Sequence, residues 1–449
     1  MHGIETAAAA VGGERVFGRR NLVTACTLFW SALIMLWLLQ LAAHINPIGP
    51  SFAPHFVAQA DAWLHGRWNV AMAPGTVDTA DVRGKVYILY PPFPAILLLP
   101  FVAIFGRATS DTLFTAVLAS GNLALLYLLF EQARANGWTR HTRQENLFLS
   151  ILLAFGSINL WLSLGGSMWF TAQVVGMTLS LGALLLAFRR HYGWSAVLIG
   201  CALLTRATLV LGAPLLLWLA WDDLGRHSTM GTFVRSLLAR RPDWTALPWR
   251  RLLSVATPIS TAAVLWLVRN ALVFGSPLES GYGIVLRQQY PDAKYGVFSL
   301  RYIPANIIAN FFSFPRITYV GPHDLHPTID LLNQGIGVSV FVTTPLFLLL
   351  FWRNRAFNPL RAALWSTLGL MVLAILPFHE AGWFQFGARY LFDGYPYAFL
   401  LLMLNEMPIA RGQGKGRRVD WRILALGLLG ICINIMGAIE VWTGHMYRL

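Results

Sequence analysis

The 449-residue chain is short of charge, of lysine and of cysteine. Charged residues make up 12 % of it against 56 % hydrophobic, and the mean hydropathy is +0.56. An ordinary soluble globule, in which about a quarter of residues are charged, is excluded by that balance. Lysine occurs only as Lys85, Lys294 and Lys415, so nearly all positive charge is arginine. The cysteines, Cys26, Cys201 and Cys432, lie inside apolar stretches without a CxxC pair or metal-ligand spacing. This excludes a disulfide framework and a cysteine metal centre, and the three read as small buried hydrophobes. There is no P-loop, no GxGxxG opening a helix after a strand, no GxSxG and no HExxH, which argues against an ATP-driven pump, a dehydrogenase, a serine hydrolase and a zinc protease. The absence of a repeat relating two halves disfavours the common secondary transporters.

What the chain does have is long apolar runs. A bilayer crossing takes about 20 residues, and runs near that length lie at about 22–41, 112–130, 146–164, 169–188, 252–272, 336–352, 362–379, 391–408 and 421–442. Arg15, Arg19 and Arg20 precede the first, with no small-residue cleavage site after it, so this run is expected to stay as an anchor. A net charge of +14 in a soluble protein would suggest nucleic acid. Here most of the basic residues fall in alternate loops: Arg134, Arg140 and Arg143; Arg189 and Arg190; Arg226, Arg235, Arg240, Arg241, Arg250 and Arg251; Arg353, Arg355 and Arg361; Arg411, Lys415, Arg417, Arg418 and Arg422. That is the positive-inside bias of a multi-pass membrane protein, and no nucleic-acid partner is expected.

Two stretches need separate treatment. The run from Ile88 to Phe105 is interrupted by Pro91, Pro92, Pro94 and Pro100, and reads as a helix lying on or dipping into the outer face. Gly193 to Trp221 has basic loops at both ends and must turn around, as a hairpin of two short helices with Thr205 and Arg206 near its apex. The resulting expectation is an all-α integral membrane protein of about 11 transmembrane helices, N-terminus cytoplasmic and C-terminus extracytoplasmic. Residues 1–449 form one transmembrane domain with no separate soluble domain.

Two long outer segments remain, about 42–111 and 273–335, and loops of that length usually have a task. The first carries Asp61, Asp78, Asp81, Arg67, Arg83 and Lys85; the second Arg287, Asp292, Lys294, Arg301, His323, Asp324, His326 and Asp330. A shorter outer segment, HEAGWFQFGARYLFDGYP, sets Glu380, Arg389 and Asp393 at the mouth of a span, where ionisable groups are costly unless paired or working. Together they suggest an outward-facing polar cavity, roofed by amphipathic helices, that suits an anionic head group.

In PHFVAQADAWLHGRW, Phe56, Ala60, Trp63 and Leu64 fall at helical spacing, so an interfacial amphipathic helix is expected. Asp61 on it is either a general base for an acceptor hydroxyl or a solvated acid paired with Arg67. Asp78 and Asp81 flank a polar turn before GKVYILYPPFP and in isolation read as loop acids. Arg83 and Lys85 suit phosphate oxygens and equally suit acidic lipid heads. Arg206 and Arg389 either bind a ligand or hold free carbonyls at a helix break. Trp161, Trp169, Trp383 and Phe386 read most simply as interfacial belts, with sugar stacking as the alternative. His323 and His326, beside prolines, make a poor metal pattern, and no metal is assigned.

These segments in this order resemble the GT-C superfamily of membrane glycosyltransferases, particularly the bacterial branch of protein O-mannosyltransferases and the lipid A aminoarabinose transferase. The resemblance runs over most of the chain, through ADAWLHGRW, DVRGKVYILYPPFP, YPPFPAILLLPFVAIFG, GCALLTRATLVLGAPLLL and FGARYLFDGYP. It implies a GT-C fold in a bacterial inner membrane and transfer of a hexosyl or pentosyl group from a polyprenyl-phosphate sugar at the outer face. The acceptor is an unidentified glycan, lipid or protein of the cell envelope, and no cofactor beyond the lipid-linked donor is implied. On the family pattern Asp61 is the nearest match to the base and Lys85, Arg206 and Arg389 to phosphate ligands, with Arg83 and Arg301 as further basic candidates. Relatives carry an acid soon after the first span, whereas this chain has Asn46, Pro47 and Ser51 there, so Asp81 and Asp78 stand as alternatives to Asp61.

The rival readings are a non-catalytic lipid-linked-sugar transporter or flippase, and a structural membrane subunit. All of them rest on the proline-broken run failing to cross. Cysteine placed at Arg140 should accordingly resist membrane-impermeant reagents applied from the periplasm, and labelling from that side would overturn the topology.

Overall fold

The computed structural model describes residues 16–222, 244–290, 294–319, 327–351, 358–382, 385–405, 410–411 and 418–445. It is 71 % helical, as the apolar runs require, with the few strands confined to short hairpins. Asp292, His323, Asp324, His326 and Trp383 lie outside the described residues.

Among the described residues five helices are each long and apolar enough to cross a membrane: α1 (Arg19–Ala42), α4 (Asp111–Ala135), α7 (Met168–Phe188), α10 (Trp249–Phe274) and α14 (Trp421–Glu440, continued to Thr443). Between them, in chain order, come α2 (His55–Leu64), α3 (Phe93–Phe105), α5 (Arg143–Phe155), α6 (Asn159–Leu164), α8 (Tyr192–Leu203), α9 (Ala213–Asp222), α11 (Tyr282–Gln289), α12 (Pro359–Ile375) and α13 (Tyr395–Leu404). Helix starts carry the expected chemistry. Ser110 accepts from the Leu113 N–H to cap α4, Thr142 and Glu145 form a capping box on α5, and Asn358 accepts from the Leu360 N–H ahead of α12.

Hydropathy alone does not tell a central helix from a peripheral one, because lipid and protein interior are both apolar. Of the apolar window of α7, 83 % is buried inside the protein, against 22 % for α1 and 11 % for α10. Thus α7 is the hub and α1 and α10 present broad apolar faces outward. Cys26 on α1 and Cys432 on α14 lie on such outward faces and are exposed, contrary to the expectation of burial.

Three expected runs are broken. At 146–164 the helix stops at Phe155 because Gly156 and Gly430 bring two backbones together: a Cβ on Gly430 would sit 2.5 Å from the Gly156 carbonyl oxygen. The run at 336–352 divides at Pro345 into Val340–Thr343 and a 3₁₀ stretch Pro345–Phe351. The run at 391–408 begins as a 3₁₀ turn, Arg389–Gly394, before α13. The proline-rich run yields α3, whose 13 residues span only about 20 Å, short of the roughly 30 Å hydrocarbon. The hairpin after α7 is present: the chain breaks at Arg206, and Gly212 returns against Ile199 of α8.

The first outer segment folds into a lobe on the end of the bundle. Strands β1 (Thr79–Val82) and β2 (Lys85–Ile88) pair antiparallel through a two-residue turn in which Arg83 and Gly84 both have positive φ. Helix α2 is buried on most sides within this lobe rather than lying half-exposed on a surface; Phe56, Val57, Ala60 and Ala62 pack with Val86, Ile88 and Leu98. An isolated two-stranded hairpin is marginal in water, and this one is fastened by side chains from elsewhere. Gln288 of α11 accepts from the Asp81 N–H at 3.2 Å and donates to the Asp81 carbonyl at 2.8 Å. Arg269 of α10 donates to the Ile88 carbonyl at 2.7 Å.

The lobe is joined to the bundle at Asp111. Its carboxylate accepts from the Ser51 N–H (2.7 Å), the Ser51 hydroxyl (2.6 Å) and the Ser167 N–H (3.0 Å). Gly166 has no room for a Cβ, which would meet the Asp111 carboxyl at 2.9 Å. Asp111→Ala orphans these buried donors, so a loss of at least about 2 kcal/mol is expected, read as a lower thermal midpoint in detergent. Asp111→Asn, which keeps an acceptor, should lose less.

Candidate functional site

The site forms where the lobe, the α8–α9 hairpin and the segment ahead of α13 meet. The hairpin breaks at Arg206, whose backbone is extended (φ −150°, ψ 126°), and the Leu204 carbonyl freed there accepts from the Phe93 N–H at 2.9 Å. Arg206 turns to the 3₁₀ turn before α13, where its Nε donates to both carboxylate oxygens of Asp393 at 2.9 and 3.0 Å. The Thr208 hydroxyl donates to the same carboxylate. The side chains are 12 % and 1 % exposed, so this is a buried ion pair, and removing either partner strands the other charge.

Arg206 uses only Nε in that pair, and its guanidinium also borders a cavity of about 430 Å³. Tyr90, Tyr282 and Tyr390 supply the phenol groups of the cavity wall; Leu89, Leu211, Trp266, Leu278, Val297, Phe298, Ile375 and Phe378 make the rest largely apolar. Such a space, mostly apolar with an arginine and three tyrosines in its wall, suits an amphiphile whose head meets the arginine.

A second arginine lies across the Tyr390 ring. The Arg206 Cζ is 6.0 Å from the ring centroid and the Arg389 Cζ 5.3 Å. Arg389 is 7 % exposed and its Nε is buried without a hydrogen-bond partner among the described residues. Its backbone carbonyl is fixed by the Gln173 side-chain amide at 2.5 Å. An unsatisfied buried donor on a charged group is costly and marks a place where an acceptor belongs.

Two acids, Asp78 and Glu380, reach this cluster through Trp169 and Tyr390. The Trp169 indole N–H donates to Asp78 Oδ2 at 2.5 Å, while the same ring lies 5.9 Å from the Arg389 Cζ. Asp78 has positive φ (54°), which sets its carboxyl inward from the turn before β1. Burial pushes that carboxyl above its ordinary range, an effect opposed by the Trp169 hydrogen bond and the Arg389 charge and reinforced by nearby Glu380. Glu380 Oε1 accepts from the Tyr390 hydroxyl at 2.8 Å. Asp78 is also within electrostatic reach of Tyr90 and Tyr282 on the cavity wall.

Of the residues expected from sequence, the structure thus brings together Asp78, Arg206 and Arg389. It sets the others elsewhere. Asp61 sits on α2, with His65 Nδ1 at 3.5 Å from its carboxylate in place of the expected Arg67. Asp81 lies on β1 against Gln288, with Arg83 in the turn and Lys85 exposed at the start of β2. Arg301 is exposed and stacks on Tyr295 at 4.4 Å. Trp161 and Phe386 are fully buried rather than belted at an interface, and Trp169 belongs to the site. Tyr390 was missing from the expected set and Trp169 was expected only as a belt residue, while Glu380 and Asp393 were expected at the mouth of a span without an assigned role; two arginines near one tyrosine in space leave no trace in sequence spacing.

No protein-family model and no curated protein matches the sequence. Among solved structures, the chain is similar to the archaeal oligosaccharyltransferase AglB from Archaeoglobus fulgidus in complex with an inhibitory peptide and a dolichol-phosphate, at 14 % identity and a TM-score of 0.44. It is similar also to the apo form of the Archaeoglobus fulgidus oligosaccharyltransferase, at 15 % identity and the same TM-score. Each alignment covers 92 % of this chain and 56 % of the other, so the chain spans little more than half the length of these proteins. A likeness at this level establishes neither family nor activity.

The raised Asp78 pKa has a definite consequence for stability. Between the ordinary value of 3.8 and the folded value, the folded chain binds a proton that the unfolded chain has released. Stability therefore falls as pH rises through that window and is level above it. Thermal midpoints measured against pH should show this slope in the parent protein and a shallower one in Asp78→Asn.

Proposed function

We propose that the chain transfers a sugar from a polyprenyl-phosphate carrier to a hydroxyl group of a lipid, glycan or protein acceptor, and that Arg206, Arg389 and Asp78 carry the reaction. The observation on which this rests is Arg206 at the wall of a mostly apolar cavity, with Arg389, whose buried Nε has no hydrogen-bond partner among the described residues, near the same Tyr390 ring and Asp78 linked to Arg389 through Trp169. The sequence resemblance to GT-C glycosyltransferases points to the same chemistry.

In this reading Asp78, ionised, takes the proton of the acceptor hydroxyl. The acceptor oxygen forms a bond to the anomeric carbon as the bond from that carbon to the carrier phosphate oxygen breaks. The electron pair leaves with the phosphate, and the guanidiniums of Arg206 and Arg389 stabilise the charge that develops on it. Asp393 is already committed to Arg206 and acts by holding that arginine in place. Glu380 and the Tyr390 hydroxyl form a second hydrogen-bonded unit close to the same atoms. The apolar wall suits the first part of an isoprenoid chain. Asp78 replaces Asp61 as the preferred base because, of the three expected acids, it is the one linked to Arg389 through Trp169.

Purified protein given radiolabelled polyprenyl-phosphate sugar and a membrane extract should move label from polyprenol to an acceptor. Asp78→Asn and Arg389→Gln should each cut that rate by 10²-fold or more, as loss of a proton-transfer group or an oxyanion ligand does, roughly. Asp61→Asn should leave it nearly unchanged. Label that crosses the bilayer still joined to its carrier would replace this reading with that of a transporter.

A further inference from the structure

At the opposite end of the bundle a second feature stands apart from the transfer site and does not depend on it. Helix α10 ends beside the lobe at Phe274, and its 26 residues place its first turn about 39 Å away. There α8 and α10 start side by side, brought close because Gly193 meets Ser254 and Gly200 meets Ala262. Between the two starts is a groove of about 620 Å³ lined by Arg190, His191, Arg250, Arg251 and Ser254 among its polar residues, with no acid among the described residues that line it. Neither helix has a side-chain cap or an acidic residue in its first turn, so their positive ends add to the arginine charge instead of being spent locally.

The groove has a defined depth. Trp194 and Trp249 flank it, 70 % and 47 % exposed, and exposed indoles at the ends of apolar helices mark the membrane–water boundary. The cations therefore lie at the level of lipid phosphates, while Val197 and Pro258 continue the groove along the apolar faces of the two helices. A soluble anion would match the charge but leave that apolar floor uncovered. We propose that this groove is a binding site for an anionic phospholipid, its phosphate between Arg250 and Arg251 and one acyl chain along α8 and α10.

The test uses the full-length protein in detergent, offered equal amounts of phosphatidylglycerol and phosphatidylcholine, with retained lipid counted by native mass spectrometry. Phosphatidylglycerol should be retained preferentially. Arg250→Gln combined with Arg251→Gln should reduce that preference on the order of tenfold or more, given the contribution of each basic residue near an anionic lipid surface. Ser254→Phe, which fills the groove and keeps every charge, should reduce it too, so the result does not hang on one variant folding. Arg19→Gln with Arg20→Gln, in a separate basic groove at α1, should leave it intact. Equal retention of the two lipids, equal loss in the α1 variant, or displacement of the lipid by millimolar inorganic phosphate would each overturn the proposal, the last by showing a site for free anions.

Discussion

A guanidinium inside a bundle of apolar helices persists only if its charge is answered, and the contact between Arg206 and Asp393 is the constraint around which this molecule is arranged. The arginine sits where the α8–α9 hairpin breaks, so its pairing fixes the hairpin tip against the turn that begins α13. The carbonyl released by the break is taken by the first N–H of α3, which ties the outer lobe to the same point. Three segments far apart in sequence are thereby held by one ion pair and the hydrogen bonds around it. Such a pair adds little net stability over an apolar replacement, but breaking it by removing one partner costs about 3–5 kcal/mol. Its value is positional: Arg206 meets the cavity with its orientation already set.

The lobe shows the same economy of polar contacts. Its hairpin is too short to stand alone, and its strand edges are satisfied by Gln288 and Arg269 from helices entering from elsewhere. Asp111 completes the set by gathering donors from Ser51 and Ser167, one before and one after the helix it starts. All but the Ser51 hydroxyl bond to Asp111 join a side chain to backbone, which holds the segment rigid beside the cavity. Rigidity is what lets an acid at the edge of the lobe stand at a fixed place relative to cations borne by the bundle.

How much of this was legible in the amino-acid order follows from the range over which each signal acts. The long helices follow from hydropathy, and the hairpin from two basic loops that had to share a side. Arg206 and Arg389 stood out because a charge in an apolar context is a local contrast. Breaks at Gly156 and Pro345 were less legible, since they depend on how closely another helix passes. Among the acids local context is silent: Asp61 lies in a helical motif and Asp78 in an ordinary turn, and nothing near Asp78 in the sequence marks that folding carries it to Trp169. Burial of α2, Trp161 and Phe386 was missed for a related reason, because an aromatic at a membrane boundary and one in a protein core have the same sequence neighbours.

The contrast between the two paired acids shows what the site requires. Asp393 touches its arginine directly, so its charge is consumed in holding Arg206. Asp78 and Arg389 are instead kept apart by one indole, which donates its N–H to the carboxylate and presents its ring face to the guanidinium. Direct contact would lower the proton affinity of the acid and occupy the donors of the cation. With Trp169 interposed, burial keeps the affinity raised and Arg389 keeps an unpartnered Nε. A carboxyl of raised proton affinity and a guanidinium with a free Nε can then flank one side chain without neutralising one another, and a hydrogen-bonding aromatic is suited to that separation because it engages both groups without carrying charge.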